Sequence, residues 1–242
     1  MLSYRLYIHG GQDLKEGSYG DLWRINYDFI HQGHQLIDGN EIENINWQEV
    51  KMTGRYPRKL SHHAGVLIES TKQFLIYGGI LGIDSNDVIY VLDLQTFNVE
   101  AHPVTSQSEL KGKLLPGPRD DFSFVTSSDP SNTSTRPIFL IGGFKNGMKM
   151  NDIYKLHVNQ GGKQFVWELL EVKAGSILPP PRSSLAATCS VNDGGEKVYI
   201  FGGAGDNNLK HNDLWVFQEG VWSEIKHLNT TLEDVPQQRG GH

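Results

Sequence analysis

Four short apolar runs recur along the chain, and a pair of glycines follows each of them. The runs are rich in β-branched and aromatic side chains over a few positions, which is typical of buried strands. They cover residues 4–8, 74–77, 138–141 and 198–201, ahead of Gly10-Gly11, Gly78-Gly79, Gly142-Gly143 and Gly202-Gly203. The glycine pairs recur at steps of roughly 60–70 residues, so the chain contains an internal repeat with room for several strands per unit.

Each repeat continues with three further landmarks in a constant order. The first is a second apolar run that begins at an aspartate, usually after an asparagine, a turn dipeptide. These runs cover residues 21–25, 86–91, 151–156 and 212–217. The second landmark is an aromatic residue, and the third is a proline followed by an arginine. The aromatic residues are Trp47, Phe97, Trp167 and Trp222, and the arginines are Arg58, Arg119, Arg182 and, after a looser spacing, Arg239.

This ordered set of landmarks resembles the kelch repeat of the galactose oxidase/kelch superfamily. The resemblance implies an all-β fold, a kelch-type β-propeller of four-stranded antiparallel blades. About four blades are visible: residues 1–57, which lack a first strand, 58–118, 119–181 and 182–238, with 239–242 opening another. We therefore expect part of a larger propeller, with six blades as the common number in the family.

Composition narrows the classes of partner. The chain has 242 residues, a net charge of −6 and a pI near 5.9, which disfavours binding to nucleic acid. Its apolar runs are far shorter than a membrane span, so we expect no membrane insertion. The single cysteine, Cys189, provides no disulfide framework, and the first residues do not resemble a secretory signal. A cytoplasmic location is the expectation.

The four arginines are the first candidate contacts. The resemblance places Arg58, Arg119, Arg182 and Arg239 at the mouth of the central channel, where kelch adaptors contact acidic peptide segments. A guanidinium suits such recognition because it binds a carboxylate through two parallel hydrogen bonds. The alternative is that each arginine pairs internally with a neighbouring blade's acid or a backbone carbonyl. For Arg119, the adjacent carboxylates of Asp120 and Asp121 are the predicted internal partners.

The loops after the glycine pairs are the second set of candidates, because function on a rigid scaffold is concentrated in loops. They cover residues 12–20, 81–85, 145–149 and 205–210 and are expected on the same face as the arginines. From them we select Lys15, Tyr19, Asn207 and Lys210 as partner contacts. Two longer insertions, residues 28–44 and 127–135, are expected on the opposite face.

An enzyme is the rival class. Galactose-oxidase-type kelch enzymes use copper held by Tyr and His residues, with one Tyr crosslinked to a Cys, but Cys189 lies in a predicted buried strand. His62 and His63 are adjacent, so in a strand they point to opposite sides and cannot share one metal. We predict no cofactor, no catalytic residue and no small-molecule substrate. The expected function is a non-catalytic scaffold for a protein partner; a metal-dependent oxidase or isomerase, and a structural subunit buried in a large assembly, are the alternatives.

Overall fold

The structure is a computed structural model, and it describes residues 5–26, 47–103, 115–127, 136–158, 164–192, 195–226 and 236–241. These residues form twenty β-strands and one short 3-10 turn, Asp206–Asn208. The prediction of an all-β fold is confirmed. Within the described residues no helix is long and apolar enough to cross a membrane.

Two sheets come from the first half of the chain. Sheet I has the strand order β1-β2-β3, and sheet II has the order β4-β10-β9-β6-β5. The strands of sheet I are β1 (Arg5–Asp13), β2 (Gly17–Asn26) and β3 (Gln48–Glu49). Those of sheet II are β4 (Thr53–Gly54), β5 (Ala64–Ile68), β6 (Gln73–Tyr77), β9 (Val88–Asp93) and β10 (Asn98–Pro103). β4 pairs parallel with β10, which the sequence analysis did not predict; every other strand pair is antiparallel.

Two four-stranded antiparallel sheets follow. Sheet III has the order β11-β12-β15-β16, and sheet IV has the order β17-β18-β19-β20. Sheet III is built from β11 (Ser123–Thr126), β12 (Ile138–Ile141), β15 (Ile153–Val158) and β16 (Phe165–Leu169). Sheet IV is built from β17 (Ala186–Asn192), β18 (Gly195–Phe201), β19 (Leu214–Gln218) and β20 (Val221–Glu224). Both sheets match the predicted four-stranded unit.

The sheets pack face to face in chain order, and three apolar layers lie between them. The layer between sheets I and II contains Leu22, Leu60 and Leu92. The layer between sheets II and III is the most aromatic; in it the ring centroids of Trp167 and Tyr77 are 5.1 Å apart and the rings are tilted by 50°. The layer between sheets III and IV includes Cys189 and Trp222. Large aromatic side chains fill these layers because one ring covers much apolar area.

Candidate interaction face

Four connections between the second and third strands of the repeats lie at one end of the stacked sheets. In sheet I this connection is the end of the β1–β2 hairpin, whose turn is stabilised by the Asp13 carboxylate accepting the amides of Lys15 and Glu16 at 2.8 and 2.6 Å. The others are the hairpins β7 (Ile80–Leu81) with β8 (Asp84–Ser85), and β13 (Phe144–Lys145) with β14 (Met148–Lys149), and the loop of residues 205–210, which contains the 3-10 turn. We call residues 12–19, 80–85, 144–149 and 205–210 together the hairpin face.

The second glycine of each pair joins its sheet to the segment that enters the next one. Its amide donates a 2.9 Å hydrogen bond to a carbonyl of that entry segment, and the acceptors are Leu60, Arg119, Arg182 and Arg239 for Gly11, Gly79, Gly143 and Gly203. A side chain is excluded there: a Cβ on Gly143 would lie 2.7 Å from the carbonyl of Asp120, and its φ of +96° is unfavourable for other residues. The glycine pairs therefore set the hairpins beside the entry segments.

The entry segments are also bonded to one another. The amide of Asp121 donates to the His62 carbonyl at 3.1 Å, that of Ser184 to the Asp121 carbonyl at 2.6 Å, and that of Gly241 to the Ser184 carbonyl at 2.9 Å. All four residues have positive φ, which turns each carbonyl toward the next segment. We call this string of four residues the rim.

Arg119 and Arg182 do not belong to the exposed surface. Arg119 is fully buried and makes a bidentate pair with Asp152 at 2.8 and 3.0 Å; it also donates to the Gly142 carbonyl at 3.0 Å. Arg182 does the same in sheet IV, with Asp213 at 2.6 and 2.8 Å and the Gly202 carbonyl at 2.9 Å.

This corrects the sequence-based assignment of Arg119 and Arg182 as partner contacts, because both guanidinium groups are buried and already bonded. The predicted internal partners also change. Each arginine pairs with an aspartate of its own sheet, and Asp120 and Asp121 do not neutralise Arg119. Asp120 accepts instead from the Ser85 hydroxyl at 3.2 Å, and Asp121 contacts His62 at 2.8 Å.

The arginine pairs have an electrostatic consequence at Asp213. Burial acts to raise the pKa of this carboxyl, but the hydrogen bonds from Arg182 and Trp215 and the guanidinium charge outweigh it. The pKa of Asp213 therefore lies below its ordinary value. The carboxylate stays charged and bonded at neutral pH, as expected of a structural ion pair.

In sheet II Arg58 does not take the position of Arg119 and Arg182, and its side chain is exposed. The carbonyl that accepts from the preceding glycine pair is that of Leu60, so Leu60, and not Arg58, occupies the position of Arg119 and Arg182. Leu60 is completely buried. The Gly78 carbonyl, which an arginine would have contacted, accepts instead from the side-chain amide of Asn86 at 3.1 Å. The Pro57-Arg58 pair is thus two residues out of step with the structural repeat.

Of the four candidate arginines, Arg239 is the other one with an exposed side chain. Its backbone follows the repeat, with its amide bonded to the His211 carbonyl at 3.1 Å and its carbonyl to Gly203. Its Nε donates to the Gln237 carbonyl at 2.9 Å. Arg58 and Arg239 thus remain candidate contacts.

The hairpin face carries the other candidates. Lys15 and Lys210 are exposed, Tyr19 is 38% exposed, and Asn207 has the left-handed φ of 53° within the 3-10 turn. All four lie on the hairpin face, and their role as partner contacts stays a prediction. Lys149 of this face instead reaches across to the next connection, where its ammonium donates to the Gly205 carbonyl.

The sequence analysis missed the apolar residues of this face. Every connection has a large apolar side chain that is more than half exposed: Leu14, Ile83, Met148 and Leu209, exposed by 107%, 96%, 64% and 57%. In three of them a lysine follows directly, as Leu14-Lys15, Met148-Lys149 and Leu209-Lys210. The sequence did contain a signal for this face: a dipeptide of a large apolar residue followed by a lysine recurs in three of the four loops.

Two histidine contacts lie below this face. His62 points to Asp121 in sheet III, whereas His63 points to His9 in sheet I, with 3.2 Å between His9 Nδ1 and His63 Nε2. The two neighbours thus face opposite ways, as predicted. Burial lowers the pKa of both His9 and His63 to about 4, so the pair is neutral at physiological pH. No group of three or more potential metal ligands occurs within the ranges that the structure describes.

Comparison with known proteins supports the fold more than any function. No family model matches the chain. It is 25% identical over 231 residues to acyl-CoA-binding domain-containing protein 5 of Arabidopsis thaliana, covering 96% of this chain and 30% of that protein. It is 28% identical over 214 residues to human host cell factor 2, covering 81% of this chain and 24% of that protein. The chain thus spans less than a third of either relative.

Among solved structures, the structure of YjhT superposes with a TM-score of 0.61 at 15% sequence identity. The match covers 98% of this chain and 71% of that one. This likeness concerns the fold alone, and it agrees with a series of antiparallel sheets.

Proposed function

We propose that the chain is part of a kelch-type β-propeller and serves as a non-catalytic, cytoplasmic module that binds a protein partner through the hairpin face. The main observation in support is that four successive connections each present an exposed large apolar side chain. Single exposed apolar residues are common on protein surfaces, but a group at one end of a fold is typical of an interaction site.

The chemistry of this face suits a protein surface. Leu14, Met148 and Leu209 would supply the apolar contacts that dominate the centre of an interface. Lys15 and Lys210, together with the exposed Arg58 and Arg239, favour carboxylates at its edge. We therefore propose a partner segment with apolar side chains flanked by acidic ones.

The buried ion pairs and glycine contacts would hold these side chains in fixed positions. A binding surface on rigid supports loses less conformational entropy when a partner docks. The Asp13 side chain supports the first turn in the same way by accepting two backbone amides.

The test compares a triple variant with a double variant, each made of apolar-to-serine changes. Leu14→Ser, Met148→Ser and Leu209→Ser together remove three of the four apolar tips, whereas Leu67→Ser with Val166→Ser, 39% and 38% exposed on the strands, is the control. We expect a partner captured by the native chain to be lost with the triple variant and kept with the control. Equal capture by the two variants would contradict the proposed face.

A further inference from the structure

The fourth strand of sheet IV, β20, has an uncovered outer edge, whereas the fourth strand of sheet II, β10, is covered. In sheet II, β4 runs parallel to β10. The amides of Thr53 and Arg55 donate to carbonyls of β10 and the turn before it, at 3.0 and 2.8 Å. The chain leading into sheet IV makes only the first of these bonds, from Lys173 to the Gly220 carbonyl at 2.8 Å. Among the described residues, no strand pairs with the outer side of β20.

A longer connection explains why this edge stays uncovered. Leu60 and Arg182 occupy equivalent positions, and the stretch from Lys173 to Arg182 is two residues longer than the stretch from Thr53 to Leu60. The longer stretch contains a turn, in which the amide of Ser176 donates to the Lys173 carbonyl at 3.1 Å. After its first bond the chain therefore turns away from β20, where β4 continues along β10.

A groove of about 560 Å³ lies between this connection and β20. Residues 173–177 line one side of it, and β20 lines the other together with Trp215 and Lys226. Ile177, in the wall of the groove, is 74% exposed. A volume of roughly 300–1,000 Å³ is typical of ligand sites, so the groove is large enough to hold a short extended segment.

The other sheets show which kind of side chain this edge lacks. Four residues before the buried position of Leu60 or its equivalent, sheet II has Tyr56 and sheet III has Leu115, and both pack against an apolar layer. The equivalent residue of sheet IV is Leu178, which is 45% exposed. A large apolar or aromatic side chain supplied from outside would thus complete sheet IV as Tyr56 completes sheet II.

The backbone and the charges of the groove specify the rest of the occupant. The amide of Ile225 bonds a carbonyl of β19, so by alternation Trp222 and Glu224 direct their amide and carbonyl groups to the outer edge. Two exposed lysines, Lys173 and Lys226, line the groove together with a single carboxylate, that of Glu224. The excess of positive charge favours an acidic segment.

We propose that this groove binds an acidic peptide segment of a partner protein, which carries an aromatic side chain and adds to β20 as a parallel strand. Its amide would donate to the Trp222 carbonyl, as Arg55 donates to Val99 in sheet II, and its carbonyl would accept from the Glu224 amide. Backbone pairing supplies affinity in such strand addition, and the aromatic side chain and the carboxylate supply selectivity. The site shares no residue with the hairpin face and does not rest on the function proposed for that face.

The probe is a fluorescein-labelled peptide of residues 51–58, because this segment covers the equivalent edge of sheet II. Arg55→Glu and Arg58→Glu give the peptide its acidic charge. Fluorescence anisotropy with the whole chain should show saturable binding. The same peptide with Tyr56→Ser should bind about 10-fold to 100-fold more weakly, because the burial of a ring is lost. The peptide that keeps both arginines should bind roughly 3-fold more weakly.

Protein variants locate the site. Glu224→Pro removes an outward amide but no bond to β19, so it should weaken the probe roughly 3-fold to 10-fold relative to Glu224→Ala. Glu224→Ala is the matched control, since it loses the same carboxylate and keeps the amide. Lys226→Glu should weaken the probe, whereas Lys72→Glu, at an exposed lysine between β5 and β6, should not. Far-UV circular dichroism checks that each variant folds.

Three results would overturn the proposal: no saturable binding, equal affinities of the Tyr and Ser peptides, or equal affinities of Glu224→Pro and Glu224→Ala for the probe. A fourth would replace the occupant. If the chain alone forms a dimer by light scattering and Glu224→Pro dissociates it, the edge binds a second copy and not a separate acidic partner.

Discussion

The buried ion pair of sheet IV allows a quantitative test of the structural role of the arginines. Arg182→Leu would remove both hydrogen bonds to Asp213 and the bond to the Gly202 carbonyl. Removing one member of a buried pair typically costs about 3–5 kcal/mol because the remaining charge is left unpaired. The Asp213 side chain is 18% exposed, so water can solvate it in part. We therefore expect a loss of about 3 kcal/mol in the free energy of unfolding.

Urea unfolding followed by tryptophan fluorescence measures this loss, and a thermal melt should show a fall of roughly 6–12 °C. Adding Asp213→Asn should restore part of the stability, since no unpaired charge remains. Arg58→Leu is the control and should change the free energy by less than about 0.5 kcal/mol, as surface substitutions do. If Arg182→Leu behaves like that control, the arginine is not structural and the correction above fails.

Three further predictions concern other parts of the fold. Because the pKa values of His9 and His63 are about 4 in the folded chain and 6.5 ordinarily, stability is unaffected by these groups above about pH 6.5 and is lost as the pH falls toward 4; the free energy of unfolding should drop by roughly 4 kcal/mol between about pH 7 and pH 5, and by about half as much in His9→Gln. Gly20→Ala should destabilise the chain by about 1–3 kcal/mol, because its Cβ would lie 2.2 Å from a backbone carbonyl; the loss should exceed that of Gly17→Ala, where the Cβ meets nothing within 4 Å and the cost comes from the φ of +81° alone, and urea midpoints compare the two. Cys189 is buried and its pKa is raised to about 11, so a thiol reagent should modify it only in denaturant; rapid reaction of the native chain would contradict its placement in the core.

The strands were predictable because their signals are local. The run 138–141 coincides with β12, and the run 74–77 lies within β6. Glycine pairs and Asn-Asp turns determine the backbone of only a few neighbouring residues, so the sequence alone is enough to place the turns and the ends of the strands. The predicted insertion at 28–44 lies outside the described residues, as does 127–135 apart from Ser127.

The roles of the arginines were harder to predict because they depend on distant partners. Arg119 finds its carboxylate 33 residues away, at Asp152, whereas the adjacent acids turn elsewhere. The Pro57-Arg58 pair looked equivalent to Pro118-Arg119, yet the backbone hydrogen bonds assign Leu60 to that position. A leucine and an arginine can replace each other there only because Asn86 satisfies the glycine carbonyl, and a single sequence does not reveal such compensation.

The backbone amides of the rim can report on motion between the sheets. The amide protons of Asp121, Ser184 and Gly241 each bond to the entry segment of a neighbouring sheet. These protons can exchange with solvent only when that segment moves away, whereas a proton within one sheet reports the fraying of a strand. The three amides thus report separately on the contact between sheets II and III, the contact between sheets III and IV, and the contact of residues 239–241 with sheet IV, so hydrogen exchange could show whether these contacts open one at a time or together.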